Sequence, residues 1–246
     1  MEEQQTTTRE WLWGFVAILT APSRVLPLLG RHAGKVFVMA LLVSTGASVL
    51  TNWLYAHSWA LHRQMVEIAR QRLEAYIAQH PQLTPKQQQE LHQQLQLGMR
   101  FSLPRSLIGG LFSNTVALLS LLGLLWLVQP LVWVRWGGLR LGVIVTAFGY
   151  TVLWSACGEV LTAVFQVIGG SLQVQPSLAA FVVPEQQPVL FAALSRFHLG
   201  TLLQFGILGF LLKQAAALPL WRAMAWSYSA LLLWVAAIYG MGIAMT

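Results

Sequence analysis

Aspartate is absent from this 246-residue chain, and cysteine occurs once. Without Asp there is no Asp-based triad and no paired-aspartate site. The single cysteine, Cys157, forms neither an internal disulfide nor a thiolate metal cluster. Charge is also scarce: 9% of residues are charged and 56% are apolar, against about 25% and 45–50% in an average globular protein. So few charges cannot clothe a soluble fold, and the same arithmetic excludes intrinsic disorder and a nucleic-acid module. What the chain does have is apolar residues in long runs, the mark of a protein dissolved in a bilayer. Its net charge of +7, from 15 Lys+Arg against 8 acids, reads as a device for fixing topology.

A spanning helix needs about 20 mostly apolar residues. Five stretches qualify: Val36 to Ala56, Leu107 to Val134, Leu141 to Ile168, Phe197 to Leu212 and Leu220 to Ala244. Trp53, Tyr55, Trp126, Trp133, Trp136, Trp221 and Trp226 sit near their ends, as interfacial anchors do. Trp11 to Ala21 is apolar but too short to span. It is expected to be an interfacial helix ended by Pro22. The opening MEEQQTTTRE carries acids where a cleavable signal carries positive charge, so none is expected.

Short connections set the orientation. Arg24, Arg31 and Lys35 precede the first span, Arg135 and Arg140 lie between the second and third, and Lys213 and Arg222 between the fourth and fifth. Residues 169–195 carry no Lys or Arg. The N-terminus is therefore expected in the cytoplasm and the C-terminus outside. The expected organisation is a cytoplasmic part over 1–35 and one transmembrane domain over 36–246, which includes an extracytoplasmic helical hairpin at 58–105.

In that hairpin Leu61, Met65, Ile68, Leu73, Tyr76 and Ile77 recur at helical spacing, and the helix is free to run straight on from the first span. His80-Pro81 breaks it. Thr84-Pro85-Lys86-Gln87 reads as a capping box that starts a second helix, with Leu91, Leu95 and Met99 on one face. His80 and His92 are read as solvated side chains, since no carboxylate or cysteine cluster accompanies them.

No serine-nucleophile elbow, zinc-protease helix or phosphate loop occurs. His57 and His62 do not share a helix face, and Cys157 reads as a buried small apolar residue. No catalytic residue, metal site or cofactor is expected. Two intramembrane features remain. Ala40, Ser44, Ser48, Asn52 and Ala56 form a small-residue packing face on the first span, fit for packing within the chain or for a homodimer seam. On the third span, Thr151, Ser155, Glu159, Thr162 and Gln166 form one polar stripe. An ionised Glu near mid-bilayer costs at least a few kcal/mol, so the stripe is expected to face the bundle interior or a water-filled cavity. Asn114 and Gln204 are its expected hydrogen-bond partners, with His198 and Arg196 at the outer end. A packing residue and a functional polar cavity are both open readings of Glu159.

The order of segments carries a resemblance. Thr20-Ala21-Pro22-Ser23-Arg24 follows a short apolar helix and precedes the first span. A long amphipathic connection comes next, and four spans follow in two close pairs, with Ser195-Arg196-Phe197 leading into the fourth. Together these resemble the prokaryotic branch of the Yip family, the Ypt/Rab-GTPase-interacting membrane proteins. The resemblance implies five transmembrane helices, a cytoplasmic N-terminus and an external C-terminus; eukaryotic members act in ER and Golgi trafficking through Rab GTPases and partner Yip-type proteins. For this chain it implies a protein of the bacterial inner membrane. The expected function is a non-enzymatic adaptor or organiser of membrane proteins or lipids; the alternative is a small transporter or channel built on the cavity around Glu159. The expected partners are membrane lipids, other membrane proteins or a second copy, and no nucleic acid.

Overall fold

The computed structural model describes residues 2–99, 101–129, 139–183 and 186–244. Apart from one isolated bridge between Ser177 and His198, the regular elements among them are helical. In chain order they are α1 (Glu2–Thr20), α2 (Ala33–His57), α3 (Trp59–Gln79), α4 (Pro85–Met99), α5 (Leu103–Val128), α6 (Leu141–Gly169), α7 (Pro188–Leu194), α8 (Leu199–Ala216) and α9 (Leu220–Ala244). Short 3-10 turns cover Pro22–Leu28 and Leu178–Phe181. Five of these helices, α2, α5, α6, α8 and α9, are long and apolar enough to cross a membrane. The chain is an all-α membrane protein.

α6 is the keel of the bundle. Its Ile144, Ala147, Phe148, Tyr150 and Val152 are buried, and α2, α8, α5 and α1 pack around it. Close approaches seat two neighbours. At Gly149 a Cβ would meet Val36 of α2 at 2.7 Å. At Gly158 it would meet the Gly200 Cα of α8 at 2.6 Å, so there the two backbones touch. Outward-facing Ile108, Phe112, Ile168 and Leu232 are exposed, as lipid-facing residues are.

Several boundaries differ from the sequence expectation, each for a local reason. α5 starts earlier, at Leu103, because Ser102 is extended and Pro104 supplies a fixed φ in the first turn. It is described to Val128; residues 130–134 of the expected span, with Trp133, Arg135 and Trp136, lie outside the described residues. α8 starts at Leu199 instead of Phe197, where the His198 side chain caps it by accepting from the Thr201 N–H. α3 does not continue α2: Ser58 is extended, and the chain turns there. Trp226 is no interfacial anchor. It is fully buried between helices and donates its indole N–H to the Leu125 carbonyl at 2.7 Å. Cys157 is exposed, not buried, because it shares the outer face of α6 with Leu161, Phe165 and Ile168.

The apolar N-terminal helix ends before Pro22 as expected, but it begins at Glu2 and is bound to the bundle. Phe15 and Ile18 are buried against α6: the Phe15 and Tyr150 rings meet edge to face at 4.9 Å, and Trp154 donates to the Ile18 carbonyl at 3.2 Å. Gly14 is required there, since a Cβ would fall 2.4 Å from the Tyr150 ring. Leu12, Trp13, Val16 and Leu19 face outward.

The hairpin of α3 and α4 forms at the end of the bundle where α2 ends and α5 begins. The capping box has the expected bonds: Thr84 N–H donates to Gln87 Oε1 at 2.9 Å, and Gln87 N–H to Thr84 Oγ1 at 3.4 Å. Leu61 is fully buried and Met65, Ile68, Leu91 and Leu95 half-buried, whereas Tyr76 faces out and stacks on His80. The Met99 side chain lies outside the described residues. Gln64 ties the hairpin base to the turn after α6, donating to the Gly170 carbonyl and accepting from the Leu172 N–H.

Candidate functional site

The polar residues converge at the hairpin end of the bundle. A cavity of about 470 Å³ lies between α2, α5, α6 and the base of the hairpin, within the usual size of ligand pockets. Ser48, Asn52 and Tyr55 of α2 form one wall. Ser102, just ahead of α5, and Ser106, Gly109, Gly110, Ser113 and Asn114 of α5 form the opposite one. Glu159 of α6 sits at its inner end, His62 and Arg105 nearer the hairpin, and Arg196 and Trp234 at the side.

Each polar residue of the α6 stripe has a definite placement. The Thr151, Ser155 and Thr162 hydroxyls donate to their own helix at Phe148, Val152 and Gly158. That satisfies them locally, within their own helix. Glu159 and Gln166 instead bond across helices. Ser48 donates its hydroxyl to Glu159 Oε1 at 3.2 Å, and Asn114 Nδ2 donates to Ser48 Oγ at 3.3 Å. Asn114 therefore reaches the carboxylate through Ser48 and not directly. Gln166 accepts from the Tyr55 hydroxyl and donates to the Leu172 carbonyl at 2.7 Å. Gln204 lines a smaller inner chamber of about 90 Å³ with Ser44, Ser155, Thr201 and Glu159. Asn114, Arg196 and His198 line that chamber too, together with Leu118, Leu121, Phe148, Phe205 and Leu231, so its wall is mixed polar and apolar.

The small-residue face of α2 turns out to be mostly cavity wall. Ala40 is buried, but Ser44 lines the inner chamber and Ser48, Asn52 and Ala56 the main cavity. Small side chains here leave space open instead of filling a helix seam. A matching stripe runs along α5: Ser106, Gly109, Ser113 and Ala117 recur every three or four residues, a period legible in the sequence.

Depth follows from helix lengths. Glu159 comes 18 residues after Leu141 and 10 before Gly169, about 27 Å and 15 Å of rise. It is level with the start of α8, whose 18 residues rise about 27 Å, close to the hydrocarbon thickness of about 30 Å. Glu159 therefore lies nearer the hairpin-side end of α6 than its Leu141 end. The cavity extends from it toward the hairpin.

The neighbours of Glu159 are basic. Arg196 is exposed and stacks on the Trp234 ring, 5.6 Å from the centroid. His198, just ahead of α8, accepts the Thr201 N–H on Nδ1 at 3.3 Å, and its Nε2 lies 3.0 Å from Thr201 Oγ1. Burial, aided by the Arg196 charge, pushes its imidazole down to about 4, so it is neutral at physiological pH. Arg105 Nη1 donates to the Leu97 and Gly98 carbonyls, closing the end of α4 onto α5. His80 and His92 bond to backbone carbonyls of their own helices, and no group of three or more His, Cys, Asp or Glu residues that could hold a metal occurs among the described residues.

No protein-family model, curated protein or solved structure matches this chain.

Proposed function

We propose that this chain is a Yip-like membrane protein that acts without covalent chemistry, as an organiser of lipids or membrane proteins, through a polar ligand held in the cavity above Glu159. One observation carries the reading. A carboxylate on a membrane-spanning helix is held by a Ser48–Asn114 relay, and beside it a ligand-sized polar space stands open. An ionisable residue kept within a span is costly unless it has a partner or a role. Binding is favoured over conduction because the space narrows beyond Glu159, from a cavity of about 470 Å³ to a chamber of about 90 Å³. The same reading has the hairpin face outward from a bacterial inner membrane. Arg31, Lys35, Arg140, Lys213 and Arg222 then lie at the opposite, cytoplasmic end.

Cysteine accessibility tests this reading. In a Cys157→Ser background, a cysteine at Asn114 should react with a small hydrophilic thiol reagent, and one at outward-facing Phe112, two residues away, should not. Equal protection at both positions would mean that the cavity is closed to water and that Glu159 is a packing residue.

A further inference from the structure

We infer that the end of the bundle opposite the hairpin holds one two-chain anionic phospholipid. Its chains lie in two apolar grooves that meet at Gly34 of α2, and its phosphate among Arg31, Lys35 and Arg140. This site is separate from the cavity above Glu159 and stands or falls apart from it.

The grooves come first. α2 and α5 are close at Thr45, where a Cβ on Gly110 would lie 3.3 Å from the threonine methyl. Nearer the start of α2 a cavity of about 770 Å³ opens between α2, α5 and α6. Phe37, Leu122, Trp126 and Val145 help to line it, and its wall is almost wholly apolar. A second apolar groove, of about 300 Å³, runs between α1 and α2 along Trp11, Val38 and Leu42. Gly34 lines both. Nothing stands within 4 Å of where its Cβ would be, nor at Gly123 in the larger groove, so both glycines leave open space. Two apolar channels that join at one point match two acyl chains joined at one glycerol. A single-chain amphiphile would fill only one.

The charges come second. Lys35 follows Gly34 and lines the smaller groove. Arg140 immediately precedes Leu141, which lines the larger one. Arg31 follows Gly30, whose carbonyl oxygen lies 3.7 Å from the place of a Cβ on Gly142, another lining residue. All three cations are exposed. Among the described side chains the acid beside them is Glu10, next to Trp11, and it forms no ion pair with Lys35. Three positive charges against one acid favour a net-negative headgroup. Phosphatidylcholine and phosphatidylethanolamine carry a cation of their own at the headgroup tip, which these side chains repel.

The start of α2 adds donors at the same point. Its first helical bond runs from the Val36 N–H to the His32 carbonyl, and the His32 side chain makes no cap. The Ala33, Gly34 and Lys35 N–H groups thus have no partner within the helix and face out of the end where the phosphate sits.

The test is native mass spectrometry of the full chain released from detergent. Phosphatidylglycerol, phosphatidylethanolamine and phosphatidylcholine of matched chains are supplied in equal amounts, with lysophosphatidylglycerol as the one-chain probe. Phosphatidylglycerol should be retained at least about tenfold over the other two, the equivalent of one charge-assisted hydrogen bond. Lys35→Gln combined with Arg140→Gln should erase that preference and leave equal residual binding of all three. Gly123→Leu fills open space in the larger groove. It should lower phosphatidylglycerol retention by about tenfold, as displacing two methylenes does, with the thermal midpoint unchanged. Equal retention of the three lipids by the unaltered protein would overturn the headgroup assignment. Full retention by Gly123→Leu would overturn the groove, and lysophosphatidylglycerol held as tightly as the two-chain lipid would overturn the pairing of the grooves. A dimer that Gly123→Leu breaks into monomers would give the groove to a second copy instead.

Discussion

The contact between Gly158 and Gly200 sets where α8 begins, and so holds Arg196 and His198 beside Glu159. Replacing Gly200 with alanine should break it. The new Cβ would sit 2.4 Å from the Trp154 carbonyl oxygen and 2.6 Å from the Gly158 Cα. Both are backbone atoms, so no flexible side chain can give way, and α6 and α8 must separate. Overpacking a well-filled interior costs about 1–3 kcal/mol, and a backbone clash belongs at or above the top of that range. At about 2–4 °C per kcal/mol for a chain of this length, the midpoint of thermal unfolding in detergent should fall by about 6–12 °C. Gly46→Ala is the control. It is an exposed α2 position where an added Cβ meets nothing within 4 Å, and its cost should be near zero or slightly favourable. If Gly200→Ala were as mild as Gly46→Ala, the backbone contact would not be what seats α8.

His198 gives the fold a pH dependence. Its imidazole is held near 4 in the fold against about 6.5 when exposed, so the unfolded chain takes up a proton between those values and the folded chain does not. Stability should be flat above about pH 6.5 and fall by up to about 3 kcal/mol as pH drops to 4. His198→Asn keeps a capping side chain but cannot titrate, and should flatten the slope in pH-dependent melting; an unchanged slope would clear His198 of the effect. Thr84→Ala removes the side chain that caps α4 and should lower its local stability by about 1 kcal/mol, read as faster amide exchange over Gln87–Gln89 with α6 unaffected. A cysteine at Gln88 should react with an impermeant reagent once the outer barrier alone is permeabilised. Labelling that required rupture of the inner membrane would invert the proposed orientation.

What the sequence made legible were the features that depend on composition and period. The spans are long apolar runs, and the hairpin turn rests on Thr84-Pro85 and Gln87, a signal contained in four consecutive residues. The α6 stripe was visible as a period, but the period could not separate Thr151, Ser155 and Thr162, which bond their own backbone, from Glu159 and Gln166, which reach across helices. That distinction depends on which neighbour comes close. Cys157 and Trp226 were misjudged for the same reason, since inside a membrane both faces of a helix are apolar and hydropathy does not tell core from lipid. The place of Glu159 along the bundle is set by the register of α6 against α8, which two glycines fix and no sequence period shows.

The central position of α6 bears on how the chain is made. Spans are synthesised in order, so α2 and α5 are complete before their common partner exists, and Ser48 then has no Glu159 to bond. Those two helices must stay in the lipid on their own apolarity, and they are the most apolar of the set, with mean hydropathies of 1.7 and 2.0. α6, α8 and α9, at 1.6, 1.3 and 1.4, emerge later, when surfaces to dock against are already present. The chain thus places its least lipid-soluble spans after the helices that will shelter them, and the polar relay closes only when the third span arrives.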